Sequence, residues 1–270
     1  MLNTEKRNEK TTHIDKMSTM EMIKVMQEEN YNALRAIDDA LPMIERAVDA
    51  AAHAVNNGGR IIYLGAGTSG RLGVLDAVEC PPTFGVSPEL VVGIIAGGKE
   101  RMFTAAENAE DIAENGIRDL KEKNITDKDL IVGISAAGNA AYIVGALEYA
   151  KSLGCVTVGI TSNKDTLLDK TADISVVTDT GAEVITGSTR LKAGTSQKLI
   201  LNMISTCAMI KMGNVYENLM INLKAVNIKL IARMISIVSD ILGISREEAE
   251  AELVKSDWVI RRAVENYKAE

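Results

Sequence analysis

"RIIYLGAGTSGRLGVLDAVECPPTFG", residues 60–85, runs from a short β-branched stretch through glycines that bracket a Thr-Ser pair into an apolar helical stretch. Strand, glycine turn, helix is the opening unit of a parallel α/β sheet. Four further runs carry the same strand signature: "LVVGIIAG" (90–97), "DLIVGIS" (129–135), "CVTVGITS" (155–162) and "DISVVT" (173–178). Each is short, β-branched and followed by glycine or small polar residues. Strands buried on both faces, with carboxyl ends that open into loops, have this composition. The predicted fold is α/β, a three-layer sandwich around a five-stranded parallel sheet. Ligands bind such sheets beyond the carboxyl ends of the strands.

Outward from that core, residues 1–17 are polar and read as a loose arm. Ser18 and Glu21 form a capping box that opens a helix. Pro42 suits a first helical turn, and an Ala-rich helix then runs to the "NNGG" stop at 56–59. On the far side of the sheet region, "TSQKLILNMISTCAMIKMG" (195–213) is a long helix, apolar on more than one face, suited to burial against the sheet or a second subunit. From about Asn227 three short helices follow, with breaks near Gly243 and Ser256. The expected division is a helical segment at 1–59, a ligand-binding domain at 60–226 and a small, UBA-like helical bundle at 227–270.

Composition narrows the function. Hydrophobic residues make up 46% but aromatics only 3%, so the core is aliphatic. The net charge of −7, with no basic cluster, argues against a nucleic-acid partner. Cys80, Cys155 and Cys207 are far apart and in no CxxC pattern, which fits a reducing, cytoplasmic setting. His13 and His53 lack metal-ligand spacing. No apolar run approaches the ~18 residues of a membrane span, and the polar N-terminus is unlike a signal peptide.

The glycine turn is the first candidate site. Gly67 lets the backbone approach a ligand, amides at a helix start favour an anion, and the hydroxyls of Thr68 and Ser69 suit a phosphate monoester. G-x-G-x-x-G also fits Gly65, Gly67 and Gly70, but no acidic residue ends the second strand where a ribose needs one. A P-loop is excluded because no Gly-Lys-Ser/Thr follows. "GISAAGNAAY" (133–142) offers a second loop with Ser135 and Gly138. In "GSTRLKAGT" (187–195), Ser188, Thr189 and Lys192 are either ligand contacts or helix caps and interface residues, and Arg190 shares the ambiguity.

Two places offer carboxylates for proton transfer. Glu79 lies between an apolar helix and Pro81-Pro82, where partial desolvation is expected to raise its pKa. "FTAAENAEDIAENG" (103–116) reads as one helix with Glu107, Glu110 and Glu114 on one face, and spacing alone does not choose among them.

"GAGTSGRLGVLDAVECPPTFG", "AAENAEDIAENG" and "EVITGSTRLKAGTSQKLILNMIST", with "TEKRN" and "IDKMSTMEMI" near the start, resemble the N-acetylmuramic acid 6-phosphate etherases. These are relatives of the glucokinase regulatory protein with the sugar isomerase (SIS) fold. The resemblance covers nearly the whole chain. It implies a phosphorylated amino sugar as substrate, lactate elimination with Glu79 as acid and Glu110 as base, a homodimer, and no metal or redox cofactor. One departure is internal: the family usually has Ser-Ala-Ser-Gly-Arg-Thr-Pro where this chain has "SAAGNAA". Ala137, Asn139 and Ala140 thus stand for a serine, an arginine and a threonine, and weaker phosphate binding is expected. A non-catalytic sugar-phosphate-binding regulator is the alternative implied by the same relatives. An aldose-ketose isomerase would share the proton abstraction but leaves "ECPP" and "GSTRLKAGT" unexplained.

Overall fold

The computed structural model describes residues 1–104, 109–225 and 227–269. Five parallel strands form the central sheet: β1 (Ile61–Gly65), β2 (Val91–Ile95), β3 (Leu130–Ile134), β4 (Val156–Thr161) and β5 (Ile174–Val177). Their order is β2-β1-β3-β4-β5. The chain therefore steps from β1 to one side and returns to the other. The crevice between the carboxyl ends of β1 and β3 is the switch point at which ligands bind in such sheets. Gly65 is paired with Ile134 there, so the glycine turn and the Ser135 loop leave the sheet side by side.

Helices cover both faces. α1 (Thr19–Asp38), α2 (Leu41–Asn56), α3 (Gly67–Phe84) and α7 (Lys192–Lys211) lie on one side; α4 (Ala113–Glu122), α5 (Ala141–Ser152) and α6 (Leu167–Thr171) on the other. The two-residue period of a strand divides the core between them. Ile61 and Tyr63 join Ile200 and Ile204 of α7 in one cluster, whereas Ile62 and Leu64 join Tyr142 and Leu147 of α5 in the other. α7 is as expected: buried residues along most of its length pack it against α2, α3 and the sheet. A short hairpin, β6 (Val215–Tyr216) and β7 (Leu219–Met220), leads to α8 (Ile228–Leu242), α9 (Arg246–Lys255) and α10 (Ile260–Ala269). These three surround a separate apolar cluster that includes Met234, Leu253 and Ile260. Gly243 caps α8 in the left-handed conformation, and Ser245 with Glu248 forms the capping box of α9.

Three expectations are corrected. The prolines do not stop α3, which continues through Pro81 and Pro82 to Phe84. They fall in its last turn, and Gly85 closes the helix in the left-handed conformation with its amide on Pro81 O. A Cβ at Gly85 would stand 1.9 Å from Asn222 O, so only glycine fits. Second, residues 103–116 are not one helix. Glu110 and Asp111 lie in a turn before α4, and Glu110 O accepts the amide of Tyr142 in the first turn of α5. That tertiary bond holds the backbone out of helical continuity; Glu107 lies outside the described residues.

The third correction concerns the arm. Residues 3–16 form three short 3-10 turns stitched across the carboxyl edge of the sheet. Asn163, just beyond β4 and nearly fully buried, is the main stitch. Its Oδ1 accepts the Asn3 amide at 2.7 Å, and its Nδ2 donates to Thr4 Oγ1 at 3.1 Å and Ala136 O at 2.9 Å. Asn3 Nδ2 donates to Asp179, and Thr11 Oγ1 donates to Val184 O. Polar side chains that read as solvated thus satisfy buried main chain.

Asn163→Ala removes these bonds while leaving buried acceptors behind. It should cost about 1–3 kcal/mol in denaturant unfolding and expose the arm to limited proteolysis ahead of global unfolding. An arm as protease-resistant as the parent's would show that its other contacts suffice.

Candidate active site

A cavity of about 280 Å³ opens at the switch point. Gly67, Thr68 and Ser69 line it from the start of α3, Ser135 and Ala137 from the β3 loop, and Thr189 and Gly187 from the segment before α7. Glu110 enters from the turn before α4, and Glu5 from the arm.

The donor set is that of an anion site. The amides of Gly67, Thr68 and Ser69 begin a helix and have no intrahelical acceptor, and the helix dipole adds its positive end. Gly67 has φ +52° and nothing within 4 Å of its missing Cβ, so the backbone is open to a ligand. Ser135 Oγ accepts the Gly138 amide at 3.1 Å, which leaves its own proton for a ligand. Ser69 Oγ donates to Gln197 Oε1 at 3.0 Å, while Gln197 Nε2 is buried without a partner. Turning that carboxamide over would make Gln197 the donor and release the Ser69 proton to an anion.

Not every expected residue reaches the cavity. Gly138 is buried beneath the loop, with φ +75° and its missing Cβ against Thr161 and Thr166; it shapes the turn. Ser188 is half-buried beside the cavity but is not among its lining residues. Lys192 is 1% exposed, and its Nζ pairs with Glu29 of α1 at 2.6 Å. Its backbone amide and that of Ala193 donate to the buried carboxylate of Glu183, which caps α7. Sequence could not separate these roles, because a lysine in a loop motif reads alike whether it faces ligand or core.

Glu79 is exposed on the outer face of α3, without the desolvation expected from its neighbours. It lines a different cavity of about 200 Å³, with Asp76, Lys198 and Asn202. Ten residues of helix separate it from Ser69, roughly 15 Å at 1.5 Å per residue. One chain therefore does not bring Glu79 to Glu110. The adjacent Cys80 is no nucleophile: burial first, then the charge of Asp76, pushes its thiol up to about 12.

Two residues escaped the sequence reading. Glu5 is one. Arg71 is the other: its Nε donates to Met102 O and its Nη2 to Thr104 O, holding the segment that leads toward Glu110. Of the three altered positions, Ala137, Asn139 and Ala140, only Ala137 lines the cavity. Asn139 Oδ1 accepts the Leu167 amide at the start of α6, and Ala140 is the N-cap of α5 without a side-chain bond.

Residues 99–206 match the SIS domain, and residues 43–151 match the glucokinase regulatory protein N-terminal SIS domain. Among solved structures, a phosphoheptose isomerase from Francisella tularensis superposes with TM-score 0.54 at 19% identity, over 71% of this chain and 98% of that one. A phosphoheptose isomerase from Neisseria gonorrhoeae gives 0.54 at 18%, again over 71% and 98%. The fold is that of a SIS-domain protein. At the level of sequence, the chain is 54% identical to N-acetylmuramic acid 6-phosphate etherase of Clostridium beijerinckii, over 97% of its own length and 86% of the relative's. The same-named protein of Salmonella agona is 49% identical, over 97% and 88%. The chain belongs to the N-acetylmuramic acid 6-phosphate etherase family.

The Lys192–Glu29 pair carries a pH signature. Burial pushes the Glu29 carboxyl up, but hydrogen bonds from Lys192 and Lys10 outweigh it and hold the group at about 2 instead of 4.5. A carboxyl lowered on folding contributes stability that is full above its unfolded value, about 4.5, and lost as pH falls through about 2. The urea midpoint should fall across that window, and Glu29→Gln should flatten the fall. Lys192→Ala, which strips Glu29 of its closest cation but leaves it Lys10 and Asn8, should cost about 1–3 kcal/mol.

The altered loop divides by position. Ala137→Ser returns a hydroxyl to the cavity and should tighten sugar-phosphate binding by about tenfold. Ala140→Thr should leave binding unchanged and, as a new cap for α5, add about 0.5–2 kcal/mol of stability. Calorimetry and denaturant melts on the two variants check both halves.

Proposed function

We propose that this chain cleaves the D-lactyl ether of N-acetylmuramic acid 6-phosphate, giving N-acetylglucosamine 6-phosphate and D-lactate in the recycling of cell-wall amino sugars. The observation that carries the reading is that Glu110 shares one cavity with a phosphate-type donor set. In the open-chain aldehyde the carbonyl acidifies C2–H, and Glu110 takes that proton. The C3–O bond breaks, and Glu79 protonates the departing lactate oxygen. Water then adds at C3 of the unsaturated aldehyde, its proton returning through the same carboxyl groups. The reaction is that of a carbon-oxygen lyase and consumes no external oxidant or reductant. Phosphate contacts at one end hold the sugar while chemistry proceeds at the other.

In this reading the working unit is a homodimer, and Glu79 serves the pocket of the other subunit. Support comes from Leu75 and Val78, exposed apolar side chains flanking Glu79 on the outer face of α3, and from the exposed Ile23 and Leu34 of α1. A solvated face does not need such residues in a group. Three unpaired thiols fit a reducing, cytoplasmic setting. No helix among the described residues is long and apolar enough to cross a membrane. Residues 227–270 form the small helical lobe of this unit, 60–226 its sugar-phosphate domain and 1–59 its N-terminal helical segment. A regulator that binds the sugar phosphate without cleaving it is the second reading, favoured by Ala137, a cavity position without a donor.

Glu110→Gln and Glu79→Gln should each lower D-lactate release by at least ~100-fold, and Glu107→Gln far less. Mixing the two inactive variants should restore activity, because a hybrid dimer holds one pocket with both carboxylates intact. Near-normal release from either variant removes its role, and mixtures that stay inactive remove the shared pocket. Tight binding of the substrate by the parent with no lactate release favours the regulator.

A further inference from the structure

Among the described residues, Glu5 is the one carboxylate in the cavity that the reaction above does not use. It ends the first 3-10 turn of the arm, and its neighbours Asn3 and Thr4 are pinned to Asn163. The position of the side chain over the cavity is therefore set by buried hydrogen bonds, although the carboxylate itself is exposed and has no hydrogen-bond or ion-pair partner among the described residues. Gly187, with φ +75°, makes room on the facing side: a Cβ there would stand 3.2 Å from Glu5 Oε2.

We propose that Glu5 binds the sugar: its carboxylate accepts hydrogen bonds from hydroxyl groups of the sugar phosphate, and the arm is a fixed wall of the binding site. An ionised carboxylate only accepts, and the partners a sugar phosphate offers it are hydroxyls. Among the described residues, no lysine or arginine lines this cavity, so nothing neutralises Glu5 from within it. The phosphate is repelled from Glu5 and drawn to the amides of Gly67, Thr68 and Ser69. The two features together fix which end of the sugar points where. The inference rests on reading this cavity as the sugar-phosphate site, though not on the lyase chemistry.

The test compares two ligands on the full chain by calorimetry. N-acetylglucosamine 6-phosphate has both the phosphate and the hydroxyls; inorganic phosphate has only the first. Glu5→Gln should weaken the sugar phosphate by about 10- to 100-fold, the range of hydrogen bonds to a charged group. It should leave inorganic phosphate unchanged or bind it more tightly, since a like charge is gone. Thermal stability should hold, because the side chain makes no internal bond. Unchanged affinity for the sugar phosphate overturns the proposal. An equal loss for both ligands overturns it too, since that is the mark of a displaced arm. A parent that binds neither ligand refutes the cavity reading as well. A parent that binds both and releases no lactate refutes only the etherase reaction, and the two affinities still decide Glu5.

Discussion

The strand order governs everything near the cavity. β1 sits between β2 and β3, so the chain reverses its lateral direction after β2 and leaves a crevice at the carboxyl ends of β1 and β3. Backbone geometry at that point is unforgiving. A Cβ at Gly65 would lie 2.6 Å from the Gly70 amide, and one at Gly70 would lie 2.5 Å from Gly65 O. Only with glycine at both positions can α3 start this close to β1. Its free amides then face the crevice rather than the sheet, and the Ser135 loop arrives beside them through strand pairing alone. Phosphate-type recognition is thus a consequence of how one turn is packed.

The sheet and its helices were legible because burial on both faces writes a plain signal. "DLIVGIS" and "CVTVGITS" have no polar side to confuse the pattern, and α7 is apolar around most of its circumference because helices and sheet surround it. Capping was legible too, since Ser18 with Glu21 acts within four residues. Two of the errors share one physical cause: a distant partner outweighed the local preference. "IAENG" carried the helical pattern back toward Glu110, but the Glu110 carbonyl is taken by α5. The arm looked solvated because its partners, Asn163, Asp179 and Val184, lie some 160 residues or more away in the chain.

The candidate site shows the same division. Gly67, Thr68, Ser69 and Ser135 were legible since each stands at a strand end in a local motif. Glu5 was not, because nothing in "TEKRN" states which side of the sheet it crosses. Lys192 stayed undecided between ligand contact and structural role for the opposite reason. Its motif is conspicuous, yet the ammonium serves Glu29, and Lys10 from the arm shares that carboxylate. Asn8 Nδ2 adds a third bond to Glu29 at 2.8 Å. The arm, α1 and α7 therefore meet on one buried carboxylate. A motif that looks like ligand chemistry instead fixes the wall that carries Glu5.

That arrangement bears on how an acid-base pocket can hold a doubly charged phosphate. On the proposed function, a lysine beside the phosphate would bind it more strongly, but it would also lower the basicity of a neighbouring carboxylate. Backbone amides and hydroxyls avoid much of this conflict, because their dipoles act at short range and carry no net charge. The two cations of the N-terminal network, Lys10 and Lys192, are meanwhile engaged by Glu29, outside the cavity lining. Lys192 can then stabilise the wall without entering the electrostatics of proton transfer. Arg71 and Arg101 line the adjoining cavity that Gly67 and Glu110 share, and Arg71 too is engaged by main chain, at Met102 O and Thr104 O, so the donors that face the larger cavity among the described residues are dipoles.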